Sequence, residues 1–191
     1  MVRDHNDPGF IFGQGCGRVA SLLIKALADS PLLPFGIHRF PEAMKEALKS
    51  FNDSGVEKKI MDFYEDYVYL YEAVDNLTLA TEKFNADNLN KTWEPYSLRL
   101  ANDQMMTFEQ SFLIPEGLPG RPVTRHAVFA PSQYDNYASA GLPGIADLMH
   151  DYDTLSDAQL AARQEEVRRH VSLLTILTQR ATGQLAALHE M

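Results

Sequence analysis

The stretch "VEKKIMDFYEDYVYLYEAVDNLTLATEKF" (56–84) constrains the fold more than any other part of the chain. In it Ile60, Phe63, Tyr64, Tyr67, Leu70, Tyr71, Val74, Leu77 and Phe84 recur at three- and four-residue steps. A strand turns its side chains over every second residue, so this spacing selects one face of a helix. It predicts a helix of about six turns. Ser54 and Glu57 at its start form a capping-box pattern. A broad aromatic face of this kind must be buried against other elements.

The same period returns on either side. "GRVASLLIKALADS" (17–30) places Val19, Leu22, Leu23, Ala26 and Leu27 on one face of a short amphipathic helix. Pro31 and Pro34 then interrupt it. Pro41 suits the first position of a helix over "PEAMKEALKSF". "YSLRLANDQMMTFEQSFLI" predicts a further helix with Leu98, Met105, Phe108 and Phe112 as core. Ser156 and Gln159 make a second capping box, opening a long helix through "QEEVRRHVSLLTILTQRATGQLAALHE". Its stripe of Val167, Val171, Leu174, Ala181 and Leu185 is widened by Leu173, Ile176 and Leu177. That width fits burial between its own bundle and a second chain, or a central place in a monomeric bundle; periodicity supports both. Residues 114–145 are rich in proline and glycine, with only "HAVFA" strand-like. Irregular segments of that length are commonly functional or disordered. The expected class is all-α: a helical bundle with one long irregular loop insertion.

Composition narrows the function. The chain has 191 residues, 45% hydrophobic and 23% charged, enough for a core without staples. Its one cysteine, Cys16, permits no internal disulfide. A net charge of −9, with Lys and Arg scattered, argues against nucleic acid and against attraction to anionic lipid. No uninterrupted apolar run approaches the roughly 18 residues of a membrane span, so no direct membrane contact is expected. The polar "MVRDHNDPGF" is no signal peptide.

Candidate chemistry is sparse. "GFIFGQGCGRV" matches neither the dinucleotide fingerprint nor the P-loop, and its glycines fit a helix starting close to a neighbour. Cys16 near a helix N-terminus could be a nucleophile, but no histidine is patterned with it. "HND" (5–7) and "HDYD" (150–153), with Glu165 and Glu166, contain the residue types of zinc hydrolases without a scaffold to orient them. Asn52, Asn76 and Asn90 begin Asn-x-Ser/Thr sequons. Asn76 points away from the aromatic face, which leans toward an extracellular or lumenal protein.

"LRLANDQMMTFEQSFLIPEGLPGRPVTRHAVFAPSQYDNYASAGLPGIADL" (98–148) resembles the C-terminal domain of glutamate carboxypeptidases and their relatives, the transferrin receptor-like dimerisation domain. "DPGF" (7–10), "LPF" (33–35) and "EEVRRHVSLLT" (165–175) extend the match. The resemblance implies a helical homodimerisation domain over 13–191, joined at 1–12 to a zinc-dependent protease domain that precedes it. It places the zinc and the catalytic residues in that protease domain, leaving none in this chain. Partners are then a second copy and the protease domain of the same parent. The resemblance also gives the loop 130–144 a substrate contact. Where the family has a Lys-Tyr pair for a terminal carboxylate, this chain has Asn136-Tyr137. The tyrosine hydroxyl can still donate; the asparagine amide forms no ion pair, which implies a departure from strict glutamate preference. The alternative implied by the family is a non-catalytic scaffold like the transferrin receptors.

Overall fold

The computed structural model describes residues 6–88, 91–134 and 141–186. Seven α-helices occur among them: α1 (Ile11–Asp29), α2 (Arg39–Asp53), α3 (Val56–Met61), α4 (Val68–Asn88), α5 (Pro95–Phe108), α6 (Pro143–Met149) and α7 (Asp157–Ala186). Short 3-10 turns stand at Glu65–Tyr67, Glu109–Phe112 and Tyr152–Thr154. No strand is present among the described residues, only two isolated bridges. The class is all-α, as the periodicity requires.

Helix α7 is the hub. α4 lies along it, and α5, α6 and the turns 65–67 and 109–112 pack on it as well. Val167, Val171, Leu174, Leu177, Ala181 and Leu185 are buried, and Leu173 packs against the core. The unusual width of this stripe is therefore largely used inside one copy of the chain; Ile176, 59% exposed, is the member left outside. Its start follows the sequence: the Ser156 amide and hydroxyl both donate to Gln159 Oε1, at 3.1 and 2.7 Å.

The aromatic stretch departs from expectation in one respect. It is not a single helix but α3, a turn at 62–67, and α4. The break is held from α7. The Arg168 guanidinium donates to the Phe63 carbonyl at 3.2 Å and stacks over the Phe63 ring, while Tyr64 and Ser172 hydroxyls bond at 2.8 Å. Backbone groups freed from the helical ladder are satisfied by tertiary partners, which periodicity does not encode. Ser54 also plays another role than the one expected. Its hydroxyl donates to the Ser50 carbonyl at 2.7 Å, closing α2, and Glu57 instead accepts the Tyr71 hydroxyl at 2.6 Å. Helix α2 begins at Arg39, two residues before Pro41.

The segment 113–134 is not a loose insertion. Ile114, Leu118, Ala127 and Val128 are buried. "HAVFA" forms no strand; Ala127 N donates to Phe112 O and Ile114 N to Arg125 O, at 2.9 and 2.8 Å. Gly117 sits at φ 82°, and a Cβ there would meet the Pro122 backbone at 2.5 Å. Residues 143–149, which the proline and glycine content assigned partly to the loop, are helix α6, opening on Pro143.

Helix α1 stands apart. It starts at Ile11 rather than Gly17, because the Asp7 carboxylate accepts the Phe12 and Gly13 amides at 2.9 and 2.7 Å. Its glycines do not serve close approach to a neighbour: beside Gly15 and Gly17 nothing lies within 4 Å. None of its residues is buried, and Ile11, Phe12, Val19, Leu22, Leu23 and Ile24 are exposed. The helix Pro8–Asp29 is long and apolar enough to cross a membrane by length and composition alone. Counting unbroken apolar runs missed it, since Gln14, Arg18, Ser21 and Lys25 interrupt the run while the helix as a whole stays apolar. Arg18 and Lys25 lie inside it.

Because α1 buries nothing, removing residues 1–29 should leave the denaturation midpoint of the remaining chain unchanged within about 0.5 kcal/mol. The segment at 31–33 must be kept, since Asn102 bonds the Pro31 carbonyl and the Leu33 amide at 2.8 and 2.9 Å. Urea denaturation of the two chains checks this; a marked loss of stability in the shorter one would show that α1 packs on the bundle.

Candidate functional site

The sequence singled out two clusters, 5–7 and 150–153, with Glu165, Glu166 and Cys16, and the structure assigns most of these residues to structural work. Asp151 accepts Arg163 Nη1 at 2.6 Å, and that hydrogen bond, with the charge behind it, holds its carboxyl below the usual range. Asp153 pairs with Lys59 at 2.5 Å. His150 lies flat beneath Tyr134, ring centroids 4.0 Å apart. Glu165 and Glu166 pair with Arg168 and Arg163 on the same helix, at 3.3 and 3.6 Å. Asp7 caps α1, and His5 lies outside the described residues. Cys16 is exposed on α1. No group of three or more His, Cys, Asp or Glu that could hold a metal occurs among the described residues. The described side chains therefore supply no ligand set for a zinc ion.

Asn136 and Tyr137, expected to meet substrate, lie outside the described residues, as does the sequon asparagine Asn90. Asn52 at the end of α2 and Asn76 on the outer face of α4 are both exposed.

What the structure does build is an anchor around the irregular segment. Asp147 of α6 is buried, and its two oxygens are divided. Oδ1 accepts the Ser132 hydroxyl at 2.7 Å and the Gln133 amide at 2.9 Å. Oδ2 faces Arg121 Nη2 at 2.6 Å, and Arg121 Nη1 donates to the Pro131 carbonyl at 2.6 Å. One buried ion pair thus ties residues 121 and 131–133 to α6. Beside it, a cleft of about 470 Å³ opens between this segment, α6 and α7, with Glu116, Tyr134, Arg169 and Leu173 on its walls.

Two histidines complete the anchor, His170 buried and His126 partly so. His126 Nδ1 accepts the amides of Val128 and Phe129 at 3.1 and 2.9 Å. His170 is 4% exposed, and its ring rests on Gly144 so closely that a Cβ there would lie 2.1 Å from Nε2. Burial pushes the His170 imidazole down to about 4, against the opposing pull of Asp147. Burial likewise lowers His126, with Glu109 opposing.

Sequence reading missed Arg121, Gly144, Asp147 and His170. Asp147 carried a signal: a lone acid inside the apolar "GIADLM" implies a buried partner. Which arginine supplies that partner depends on the path of the loop.

Gly144→Ala should cost about 2 kcal/mol or more, since the methyl group and the imidazole claim one space. Adding His170→Ala should recover part of that loss, giving a coupling of at least about 0.5 kcal/mol in a double-mutant cycle. Additive losses would mean the ring and the glycine do not interlock. Asp147→Ala should cost about 3–5 kcal/mol, because Arg121 is left buried and unpaired. Denaturation midpoints report both.

The sequence profile of the transferrin receptor-like dimerisation domain matches residues 65–186. A probable glutamate carboxypeptidase of Zea mays is 29% identical over 168 residues, covering 87% of this chain and 24% of its own length. The aminopeptidase NAALADL1 of Rattus norvegicus is 26% identical over 183 residues, 94% of this chain and 24% of its own. A glutamate carboxypeptidase 2 homolog of Caenorhabditis elegans is 25% identical over 152 residues, 72% of this chain and 20% of its own. The chain thus spans about a quarter of the length of these relatives. The all-α architecture centred on α4 and α7, both inside the matched range, agrees with the profile, and the chain belongs to the transferrin receptor-like dimerisation domain family.

Proposed function

We propose that the chain is the homodimerisation domain of a zinc-dependent glutamate carboxypeptidase-like peptidase, to whose protease domain it lends the segment 130–144. The observation that carries this reading is the family match over 65–186, joined to relatives named as carboxypeptidases and aminopeptidases that align with most of the chain. Catalysis and zinc belong, in this reading, to a protease domain outside the chain. The relatives' peptidase names favour an enzyme over a non-catalytic receptor-like scaffold.

Two structural features support the reading. The anchor formed by Arg121, Ser132, Gln133 and Asp147 fixes one flank of the segment holding Asn136 and Tyr137. At its other flank Gly141 packs so tightly on α2 that a Cβ would meet the Ala43 carbonyl at 2.7 Å. A loop fixed at both ends on a rigid bundle suits presentation of side chains to a neighbouring active site. The exposed apolar residues of α1, with Phe10, are the surface that the same parent's protease domain covers. In this reading the working boundary of the dimerisation domain lies before the segment 31–33, which Asn102 of α5 holds, rather than at residue 13. Asn52, Asn76 and Asn90 serve as glycan acceptors if the parent enters the secretory route.

Sedimentation of the chain at micromolar concentrations tests dimerisation, with a two-fold mass expected; a monomer at high micromolar concentration removes the proposed role for this segment alone. In the parent enzyme, Tyr137→Phe should raise KM for a peptide ending in a free carboxylate about tenfold, and Asn136→Lys should shift preference toward C-terminal glutamate. Unchanged KM and preference in both would exclude a substrate contact from this loop.

A further inference from the structure

Helix α7 keeps one side in solvent. On that side Glu165, Arg169, Ser172, Ile176, Arg180 and Gly183 recur at three- and four-residue steps, so they share a face pointing away from Val167, Val171 and Leu174. All six are exposed except Ser172, which is half-buried. Ile176 is the one large apolar side chain of the helix that the fold leaves outside. The bond between the Ser172 and Tyr64 hydroxyls sets the start of α4 beside this face, and Val68 and Tyr69, which open α4, are exposed as well. All of these apolar residues lie within 65–186, the range shared with the dimerisation family, whereas the exposed apolar residues of α1 lie outside it. We propose that the outer face of α7 is the two-fold contact between copies of this chain, with the two α7 helices antiparallel and the axis passing between Ser172 and Leu173. That contact presupposes the homodimer reading and gives it a face, a direction and a register.

The charges along the face are self-complementary in this arrangement. Parallel helices would set Glu165, Arg169 and Arg180 each against its own copy, which is repulsive at every charged position. Antiparallel helices with the axis between Ser172 and Leu173 set Glu165 against Arg180 of the second copy. The pair occurs at both ends of the contact, about 22 Å apart along each helix at 1.5 Å per residue. Arg180 pairs with no acid among the described residues. Glu165 holds only Arg168, at 3.3 Å in solvent, a pair of little worth that the contact can exchange. Ile176 then lies against the methylene stem of Arg169 from the second copy. The small Ser172 beside the axis lets the two backbones approach, and Ala162 faces Gly183 beyond each charged pair. Val68 and Tyr69 widen the apolar area that the contact removes from water. Moving the axis two residues toward the C-terminus would set Arg169 against Arg180, so the register is opposed from that side. A self-complementary contact of this kind closes at two copies.

Sedimentation of the full chain with charges reversed on this face tests the contact. Glu165→Arg alone and Arg180→Glu alone should each weaken dimerisation about tenfold or more, since either creates like-charge pairs at both ends. Joined in one chain, the two reversals should restore the affinity to within about threefold. A second measurement reads the axis directly. Ser172→Cys, in a chain carrying Cys16→Ser, should give a disulfide-linked dimer under air oxidation, because the two Cβ atoms meet beside the axis. Lys49→Cys in the same background, exposed on α2, should not. A dimer indifferent to both reversals, or one in which Ser172→Cys forms no link, overturns the α7 contact and leaves the homodimer reading standing. A monomer at high micromolar concentration removes both for this chain. If either reversed chain does not fold, the cysteine link decides alone.

Discussion

The burial of helix α7 is the constraint on which the rest of the structure depends. α4, α5, α6 and two 3-10 turns all take their position from it, and α2 joins through α4. A helix apolar around so much of its circumference cannot rest on one neighbour. It gathers them, and several of its polar side chains are used inside the fold. Arg168 secures the break before α4, Ser172 bonds Tyr64, Arg163 holds Asp151 and the Leu148 carbonyl, and Gln184 accepts the Ser111 hydroxyl. Side chains that look like surface decoration on a helical wheel are the joints of the bundle.

The same logic explains why a stretch rich in proline and glycine is ordered. Such a stretch makes few backbone hydrogen bonds of its own, so each must be supplied from elsewhere. Asp147, Arg121 and His126 supply them, and Ile114, Leu118 and Val128 add apolar burial. The result is a rigid platform beside a segment that the family resemblance connects with substrate. Stability there rests on the Asp147–Arg121 ion pair and on side-chain acceptors for the segment's backbone amides.

Helix α1 shows the opposite situation. Its residues satisfy their own backbone and nothing else, and six large apolar side chains lie in the open. The chain spans about a quarter of its relatives' length, and α1 is an uncovered apolar helix next to the start of the core. The clusters that looked like metal ligands have an equally plain account: Asp151 and Asp153 are neutralised by Arg163 and Lys59, so they serve as struts.

Periodicity alone determined that this chain is helical, that Leu70, Val74, Leu77, Val167, Val171 and Leu174 are core, and that Ser156 with Gln159 starts the last helix. These are local facts, set by 3.6-residue spacing and by bonds within one turn. The motif run in 98–148 further carried the family. Only the tertiary structure decided where the aromatic helix breaks, that α7 buries nearly all of its stripe within one chain, and that Asp147 meets Arg121. Each of those depends on groups far apart in sequence competing for one backbone carbonyl, one apolar face or one carboxylate, and no local pattern records which of them wins.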